Sequence, residues 1–213
     1  MKLDKKTMLL YAVTDRSWLG ENKLEDQVEE ILKAGVTFLQ LREKNVTDEE
    51  FLEIAKKIKA VTDKYNVPFV INDNIWVAKE VDADGVHIGQ SDMEAKKARE
   101  ILGDDKIIGI SAGNLEEAIT AQRNGADYIG IGAMFHTDTK TDATAITFEE
   151  AKKITSTVDI PVVAIGGISK DNIMKLKGTG VDGIAVISAI FAQENVGEAA
   201  KELLSLSKEM VGE

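Results

Sequence analysis

Two aspartates, each following a short apolar run, are the first candidates for chemistry in this sequence. Asp73 comes just after Phe69–Ile71, and Asp92 closes the polar segment that follows Val86–Ile88. Short apolar runs without helical periodicity are typical of buried parallel strands, so both aspartates are predicted at the carboxyl ends of neighbouring strands. Two carboxylates at such an edge can hold Mg²⁺ and leave coordination positions for phosphate oxygens. The alternative is that each aspartate only caps the helix that follows it.

Three basic side chains are also expected beside strand ends. Arg42 and Lys44 follow the apolar run Val36–Leu41, and Lys140 interrupts a threonine-rich segment. Arginine can bind a phosphate through its planar guanidinium, whereas lysine contributes a point charge. A charge run usually marks a solvated helix face, but a strand end and a loop are not positions that such a face produces. Together with Mg²⁺ on the aspartates, these cations predict a site for a diphosphate.

A second anion site is predicted after two later strands. Gly166 and Gly167 follow the run Pro161–Ile165, while Ile187 and Ser188 lead from another apolar run into a short helical turn. Glycine lets backbone N–H groups approach an anion, and a helix start directs its dipole toward one. Glycines also serve in ordinary turns, so the location matters more than the residue type. Two anion sites that face one opening predict two phosphorylated substrates that are joined.

The elements that must position these residues alternate along the chain. Eight apolar runs are predicted as strands: Met8–Val13, Val36–Leu41, Phe69–Ile71, Val86–Ile88, Lys106–Ser111, Tyr128–Ile131, Pro161–Ile165 and Ile184–Ile187. Helical segments separate them, and the clearest begins with the capping box at Thr47–Glu50. This alternation predicts the α/β class and a single closed (β/α)₈ TIM barrel that forms one domain over residues 1–213.

An internal repeat favours the barrel over an open doubly wound sheet. Similar segments, in which Gly35, Ala83, Gly125 and Gly180 are taken as equivalent, open the even-numbered strands. Each interval holds two strand–helix units, and an open sheet gives no reason for that regularity. In such a barrel the chemistry belongs at the carboxyl ends of the strands, and the loops after strands seven and eight often bind a monophosphate.

Composition excludes several classes of function. The 213-residue chain has no cysteine, which excludes disulfides and thiolate metal sites and favours a cytoplasmic location. Its net charge of −11 disfavours a nucleic acid or an anionic membrane as a partner. The sequence also lacks an apolar run long enough to span a membrane and the apolar region of a signal peptide. An acidic protein that binds phosphates must gather its cations in one place. The sequence leaves the oligomeric state open.

Several motifs together resemble those of the thiamine-phosphate synthase family. They are Tyr11-x-Val-Thr-Asp, Gln40-Leu-Arg-Glu-Lys, Ile71-Asn-Asp, Asp84-Gly-Val-His-x-Gly-Gln-x-Asp, Thr137-x-Thr-Lys-x-Asp and Val163-Ala-Ile-Gly-Gly-Ile. They occur in order between Tyr11 and Ile190, which is nearly the whole chain. The resemblance implies a transferase of thiamine biosynthesis that joins hydroxymethylpyrimidine diphosphate to a thiazole phosphate and releases diphosphate.

The resemblance also implies a role for each matching residue. The pyrimidine diphosphate would be held by Gln40, Leu41, Arg42, Glu43, Lys44, Asn72, Ser111 and Lys140. Arg42, Lys44 and Lys140 would also stabilise the leaving diphosphate. The thiazole phosphate would be held by Thr137, Asp138, Thr139, Gly167, Ile187 and Ser188. Asp73 and Asp92 would bind the Mg²⁺ cofactor. His87, at a strand end, is expected to be hydrogen-bonded scaffolding rather than a general base.

The implied mechanism needs no side-chain nucleophile. The metal and the cations stabilise the departing diphosphate, the methylene carbon of the pyrimidine ionises, and the thiazole nitrogen captures it. One alternative is a thiazole tautomerase on the same barrel, which would need neither Mg²⁺ nor a diphosphate site. The retained cations and aspartates disfavour it. Another alternative is a non-catalytic binder of thiamine precursors, which would bind the pyrimidine diphosphate without forming product.

Overall fold

Eight parallel strands and the helices between them form the framework of the protein. The computed structural model describes residues 3–89, 95–137 and 145–213. The strands are β1 Leu10–Val13, β2 Phe38–Leu41, β3 Phe69–Asn72, β4 Gly85–Ile88, β5 Ile107–Ala112, β6 Tyr128–Ile131, β7 Val162–Ile165 and β8 Gly183–Val186. The α-helices are α1 Leu24–Lys33, α2 Asp48–Tyr65, α3 Ile75–Glu80, α4 Ala95–Leu102, α5 Leu115–Arg123, α6 Phe148–Thr157, α7 Ser188–Phe191 and α8 Val196–Val211. Short 3₁₀ helices occupy Lys5–Met8, Arg16–Trp18 and Ile173–Leu176.

The strands close into a barrel in the order of the sequence. Each strand pairs in parallel with the next, and β8 pairs with β1 through the register that joins Leu10 to Ile184. The predicted (β/α)₈ TIM barrel is therefore confirmed, and the open doubly wound sheet is wrong. The strands are apolar on both faces because the side chains of one face pack against the helices and those of the other face fill the interior of the barrel.

Two apolar clusters fill the molecule. The larger one lies between the barrel and its helices and includes Leu39, Leu41 and Val86. The smaller one fills the interior of the barrel with Met8, Tyr11, Val13, Phe38, Val70, Tyr128, Val163 and Ala185. Alternate residues of a strand point to opposite faces, so each strand contributes to both clusters. Within the described ranges, no helix is long and apolar enough to cross a membrane.

The helix after β7 is shorter than the sequence indicates. The apolar residues Ile173 and Leu176 predict a seventh α-helix, but they form only a single 3₁₀ turn. Gly178 and Gly180 follow closely, both with φ of 82°, a left-handed conformation that ends a helix. By contrast, the capping box predicted for α2 is present, since Thr47 and Glu50 each accept a hydrogen bond from the other's backbone N–H.

One repeated contact explains the internal repeat of the sequence. The residue just before each even strand accepts a hydrogen bond from a backbone N–H at the start of the preceding odd strand. The pairs are Thr37 with Leu10 at 2.9 Å, and Asp84 with Phe69, Asp127 with Ile108 and Asp182 with Val162 at 2.8 Å each. These four contacts join the strands in pairs at the amino-terminal end of the barrel.

The structure corrects the alignment of that repeat by one residue. Two positions before each of the accepting residues, the backbone is left-handed, with φ of 105° at Gly35, 53° at Asp82, 89° at Gly125 and 82° at Gly180. Asp82, and not Ala83, is therefore the equivalent of the three glycines. Aspartate is one of the few residues besides glycine that enters this region readily, which is why the turn survives the exchange.

Candidate active site

A cavity of about 890 Å³ opens at the carboxyl ends of the strands. Most residues of both predicted anion sites line it. They are Gln40, Arg42, Glu43, Lys44, Asn72, Asp73, Ser111, Thr137, Gly167, Ile187 and Ser188. These residues are separated widely in the sequence and come from most of the strands, so closure of the barrel brings them together. The volume is in the range of small-molecule sites.

Five of the predicted site residues are not placed in this cavity. Leu41 is fully buried in the cluster between the barrel and the helices. Its neighbour Gln40 faces the cavity, and consecutive strand residues point to opposite faces. The Leu41 side chain therefore does not line the described cavity, and the predicted part of Leu41 in holding the pyrimidine diphosphate stays a prediction. The other four predicted residues, Asp92, Asp138, Thr139 and Lys140, lie outside the described residues.

Asp73 lines the cavity in an unusual backbone conformation. Its φ is 61°, its backbone N–H donates to the carbonyl of His87 at 2.9 Å, and its Oδ2 accepts from the Asn72 amide at 2.6 Å. The helix that follows is capped instead by Asn74, whose Oδ1 accepts from the Val77 N–H at 2.9 Å. The alternative role of Asp73 as a helix cap is therefore wrong. Its carboxylate remains at the cavity wall.

The donor set of the described residues fits Mg²⁺ only as a partial site. No cluster of three or more histidine, aspartate or glutamate side chains that could hold a metal occurs among residues 3–89, 95–137 and 145–213. Mg²⁺, however, usually takes one or two protein carboxylates and completes its shell with water and substrate phosphates. Asp73 provides a hard oxygen ligand at a cavity that basic residues also line, and this is compatible with that arrangement.

The loop after β1 holds the basic end of β2 in place. The backbone N–H of Arg42 donates to Thr14 Oγ1 at 3.0 Å, and its guanidinium Nη1 lies 3.5 Å from Asp15 Oδ2. The side chain of Glu43 is only 3% exposed, and its Oε2 lies 2.7 Å from both Nε and Nη2 of Arg16. Arg16 thus binds the one acidic side chain of the Gln40–Lys44 motif.

The environment of Glu43 has two opposing electrostatic effects. Burial raises the pKa of this carboxyl group above its ordinary value, and the hydrogen bond from Arg16 acts in the other direction. Its second oxygen, Oε1, has no hydrogen-bond partner among the residues that the structure describes. Glu43 is therefore a desolvated carboxyl group at the wall of a cavity that is predicted to take anions.

A network of hydrogen bonds crosses the interior of the barrel at the floor of the cavity. Gln40 Nε2 donates to the hydroxyl of Tyr11 at 2.5 Å, and that hydroxyl lies 2.8 Å from the hydroxyl of Tyr128. Tyr128 continues to His87 Nδ1 at 2.9 Å, and His87 Nε2 lies 3.0 Å from Ser111 Oγ. We call these five residues the interior network. His87 is thus hydrogen-bonded through both ring nitrogens, as the sequence predicts, and its role as scaffolding rather than as a general base stays a prediction.

The two tyrosines of the interior network were not among the predicted site residues. A sequence signal for them exists, because Tyr11 and Tyr128 lie within otherwise apolar strands. A buried tyrosine usually has a hydrogen-bond partner for its hydroxyl, so a tyrosine within a buried strand points to a polar neighbour. The identity of that neighbour could not be predicted, since the partners lie on strands far apart in the sequence.

The glycines after β7 serve a close approach of two loops. Gly166 and Gly167 have φ of 96° and 64°. A Cβ added to Gly167 would lie 2.2 Å from the carbonyl oxygen of His136, which neither backbone can accommodate without moving. The carbonyl of Gly167 also accepts from the Asn172 amide at 2.8 Å. The lack of a side chain at Gly167 therefore serves the close approach of the neighbouring loop, and its predicted contact with the thiazole phosphate stays a prediction.

Comparisons with known proteins agree with the fold and give the family. The family model for thiamine monophosphate synthase matches residues 10–190. A curated thiamine-phosphate synthase of Clostridium botulinum is 52% identical over 194 residues, covering 91% of each chain, and one of Clostridium tetani is 52% identical over 200 residues, covering 94% of this chain and 96% of its own. The solved thiamine phosphate pyrophosphorylase of Pyrococcus furiosus superposes with a TM-score of 0.90 at 44% identity, covering 98% of this chain and 99% of its own.

Proposed function

The chain belongs to the thiamine monophosphate synthase family, and from that premise we propose a Mg²⁺-dependent reaction for the described cavity. The activity is the synthesis of thiamine phosphate, and the enzyme is a transferase that acts on small molecules. The proposed substrates are hydroxymethylpyrimidine diphosphate and a thiazole phosphate. The observation that carries the proposal is that one cavity collects basic, carboxylate and hydroxyl side chains from both predicted anion sites.

The diphosphate is assigned to the side of the cavity formed by β2, β3 and β5. Arg42 and Lys44 supply positive charge there, and Asn72 and Ser111 supply polar side chains. Lys140, outside the described residues, is proposed as the third cation. Basic groups that are already oriented stabilise a developing negative charge at little cost in reorganisation, which supports their role toward the leaving diphosphate.

Asp73 and Asp92 are proposed to hold the metal. The carboxylate of Asp73 at the cavity wall supports its part, and the assignment of Asp92 continues to rest on the sequence. When bound, Mg²⁺ supplies positive charge that offsets the charge of the diphosphate. The Asn72 amide donates to Asp73 Oδ2, and this contact, which holds the carboxylate in one orientation, supports the assignment.

The thiazole phosphate is assigned to the opposite side of the cavity. Thr137, Gly167, Ile187 and Ser188 line this side, and Asp138 and Thr139 are retained from the sequence. The loops after β7 and β8 are a frequent phosphate site in barrels of this kind, which supports the assignment. With the two anions on opposite sides, the reacting ends of both substrates would meet near the middle of the cavity.

The proposed chemistry is substitution at the methylene carbon of the pyrimidine. The carbon–oxygen bond to the diphosphate breaks, and its electron pair leaves with the diphosphate. The lone pair of the thiazole nitrogen then forms the new carbon–nitrogen bond. No proton transfer is required for these two steps, so the protein contributes orientation and charge rather than a nucleophile or a base.

The two alternative functions have less support. A tautomerase would leave the diphosphate side without a purpose, and the curated relatives above carry the name of the synthase. A non-catalytic binder would have no need for both sides of the cavity. A cytoplasmic location remains a prediction from the sequence.

The proposal is tested by incubating the protein with both substrates and Mg²⁺ and measuring thiamine phosphate by mass spectrometry. We expect one diphosphate released for each thiamine phosphate formed, and we expect both products to disappear when a chelator removes the metal. A folded protein that forms no thiamine phosphate would contradict the activity. If the amount of product is unchanged after chelation, the role of Mg²⁺ is contradicted but the activity is not.

A further inference from the structure

The loop after β1 contacts the end of β2 one residue after another. Thr14 Oγ1 accepts from the backbone N–H of Arg42 at 3.0 Å, and the Asp15 carboxylate lies 3.5 Å from the Arg42 guanidinium. The next residue, Arg16, binds the carboxylate of Glu43. Three consecutive residues of one loop therefore hold the motif that is assigned to the diphosphate.

Glu43 is an acidic residue at a place where an anion is proposed to bind. It lies between Arg42 and Lys44 in the sequence, and all three residues line the cavity. An ionised carboxylate there offsets one of the two positive charges and repels the diphosphate. The side chain of Glu43 is almost fully buried, so solvent and salt screen its charge only weakly. The diphosphate side of the cavity therefore needs a group that compensates for Glu43.

Arg16 is in contact with Glu43 and can compensate for its charge. Its Nε and Nη2 both lie 2.7 Å from Glu43 Oε2, so two charge-assisted hydrogen bonds end on one oxygen. The other oxygen, Oε1, has no hydrogen-bond partner in the described part of the chain. Burial raises the pKa of Glu43, and the hydrogen bond from Arg16 is the largest effect that opposes this shift. The compensation of the buried acid therefore depends mainly on Arg16.

The local fold explains why Arg16 meets Glu43. Arg16 begins the 3₁₀ turn Arg16–Trp18, and Asp15 caps this turn by accepting from the Ser17 N–H at 2.8 Å. The turn fixes the backbone from which the guanidinium reaches Glu43. Arg16 is not among the described residues that line the cavity. Its effect on a bound ligand would therefore be transmitted through Glu43.

We propose that Arg16 is a positioning residue for the diphosphate, because it neutralises Glu43 and lets Arg42 and Lys44 attract the anion with their full charge. The inference rests on the proposed function, which assigns this side of the cavity to a diphosphate. It adds a residue that lies outside every motif of the sequence analysis. Without Arg16, the acid would be left buried and uncompensated at the cavity wall.

Titration with inorganic diphosphate and Mg²⁺, in the absence of both organic substrates, tests the inference. Arg16→Gln should lower the affinity for diphosphate by roughly tenfold, because a negative charge near the ligand is no longer compensated. Glu43→Gln should raise this affinity, because the acid is removed and Arg16 remains. The double variant loses both charges, and its affinity should return to within about threefold of wild type.

Recovery in the double variant separates charge compensation from a structural role. A general disturbance of the loop after β1 would not be corrected by a second substitution at Glu43. Arg16→Lys keeps the positive charge and should retain most of the affinity for diphosphate. Arg123→Gln, on an exposed helix face, is the matched control and should bind diphosphate as wild type does. If Arg16→Gln does not fold, the gain of affinity in Glu43→Gln decides.

The inference is overturned if a folded Arg16→Gln binds diphosphate as wild type does, or if the double variant stays as weak as Arg16→Gln. It is also overturned if Glu43→Gln binds diphosphate less tightly than wild type, or if wild type binds no diphosphate. Failure of the proposed function is a different result. In that case wild type forms no thiamine phosphate from both substrates, whereas the titration uses neither of them.

Discussion

At the level of single residues, the charges of the cavity are held by neighbours that come from other loops. Asp15 lies against the guanidinium of Arg42, and Asn72 donates to the carboxylate of Asp73. Such contacts orient a charged side chain before any ligand binds. Less conformational entropy is therefore lost when the ligand binds. The role of each charge can therefore be tested by a substitution that removes the charge and keeps the shape of the side chain.

The proposed metal ligand is tested by Asp73→Asn. Asparagine tolerates the left-handed backbone at this position, so the fold should remain while the anionic charge is lost. We expect turnover to fall by roughly tenfold or more, together with a weaker dependence of the rate on Mg²⁺ concentration. Asp105→Asn, at an exposed position before β5, is the matched control and should behave as wild type. Wild-type turnover of Asp73→Asn at limiting Mg²⁺ would refute the assignment.

The buried carboxyl group of Glu43 predicts a pH dependence of stability. Burial raises its folded pKa above the ordinary value of 4.5, so its contribution to stability is complete below that value and is lost as the pH rises through the folded pKa. Glu43→Gln removes this loss. The variant should therefore become more stable relative to wild type as the pH rises above the ordinary carboxyl pKa of 4.5, as urea unfolding at a series of pH values would show.

The control for this prediction has the opposite sign. The hydrogen bond from Lys56 lowers the pKa of the exposed Glu53, so Glu53 contributes stability above the ordinary pKa and loses it as the pH falls. Glu53→Gln should lose stability relative to wild type as the pH rises, by a small amount because solvent screens the pair. The interpretation of Glu43 fails if its substitution changes the stability difference in the same direction as that of Glu53.

At the level of elements, the strands and most helices could be predicted because each repeats a local pattern. The strands are apolar on both faces, and α2 begins with a capping box that the sequence contains in four consecutive residues, Thr47–Glu50. The side of a strand to which each residue points was harder to predict. Leu41 was assigned to the site with its neighbours, although the alternation of strand residues places it among the helices.

The contacts that pair the strands at the base of the barrel predict a loss of stability. Asp84→Ala removes the acceptor for the Phe69 N–H, while Asp84→Asn retains an oxygen at the same place. We expect the alanine variant to lose about 1.5–3 kcal/mol in the free energy of unfolding, as for hydrogen bonds to charged groups, and the asparagine variant to lose less. Asp105→Ala serves as the control in the same denaturant experiment. Equal losses in the two Asp84 variants would show that the hydrogen bond is not the cause.

At the level of the whole molecule, the closed barrel explains how an acidic chain can bind two anions. The net charge is −11, yet Arg42 and Lys44 both line the cavity. The sequence predicted this gathering because strand ends converge in a barrel. It could not predict the interior network, since hydrogen bonds among β1, β2, β4, β5 and β6 depend on which side chains meet across the barrel. Local sequence patterns do not indicate which side chains of distant strands are in contact.

The central claim is that the two substrates occupy separate sides of one cavity, and paired titrations test it most directly. Arg42→Ala should lower the affinity for the pyrimidine diphosphate by roughly tenfold or more, because Arg42 is assigned charge-assisted hydrogen bonds to that ligand. The affinity for the thiazole phosphate should not change. Ser188→Ala should lower only the affinity for the thiazole phosphate. Arg123→Ala and Ser156→Ala, on exposed helix faces, are the controls. Selective losses in this crossed pattern are the predicted result. Equal weakening of both ligands in both folded variants would contradict the claim.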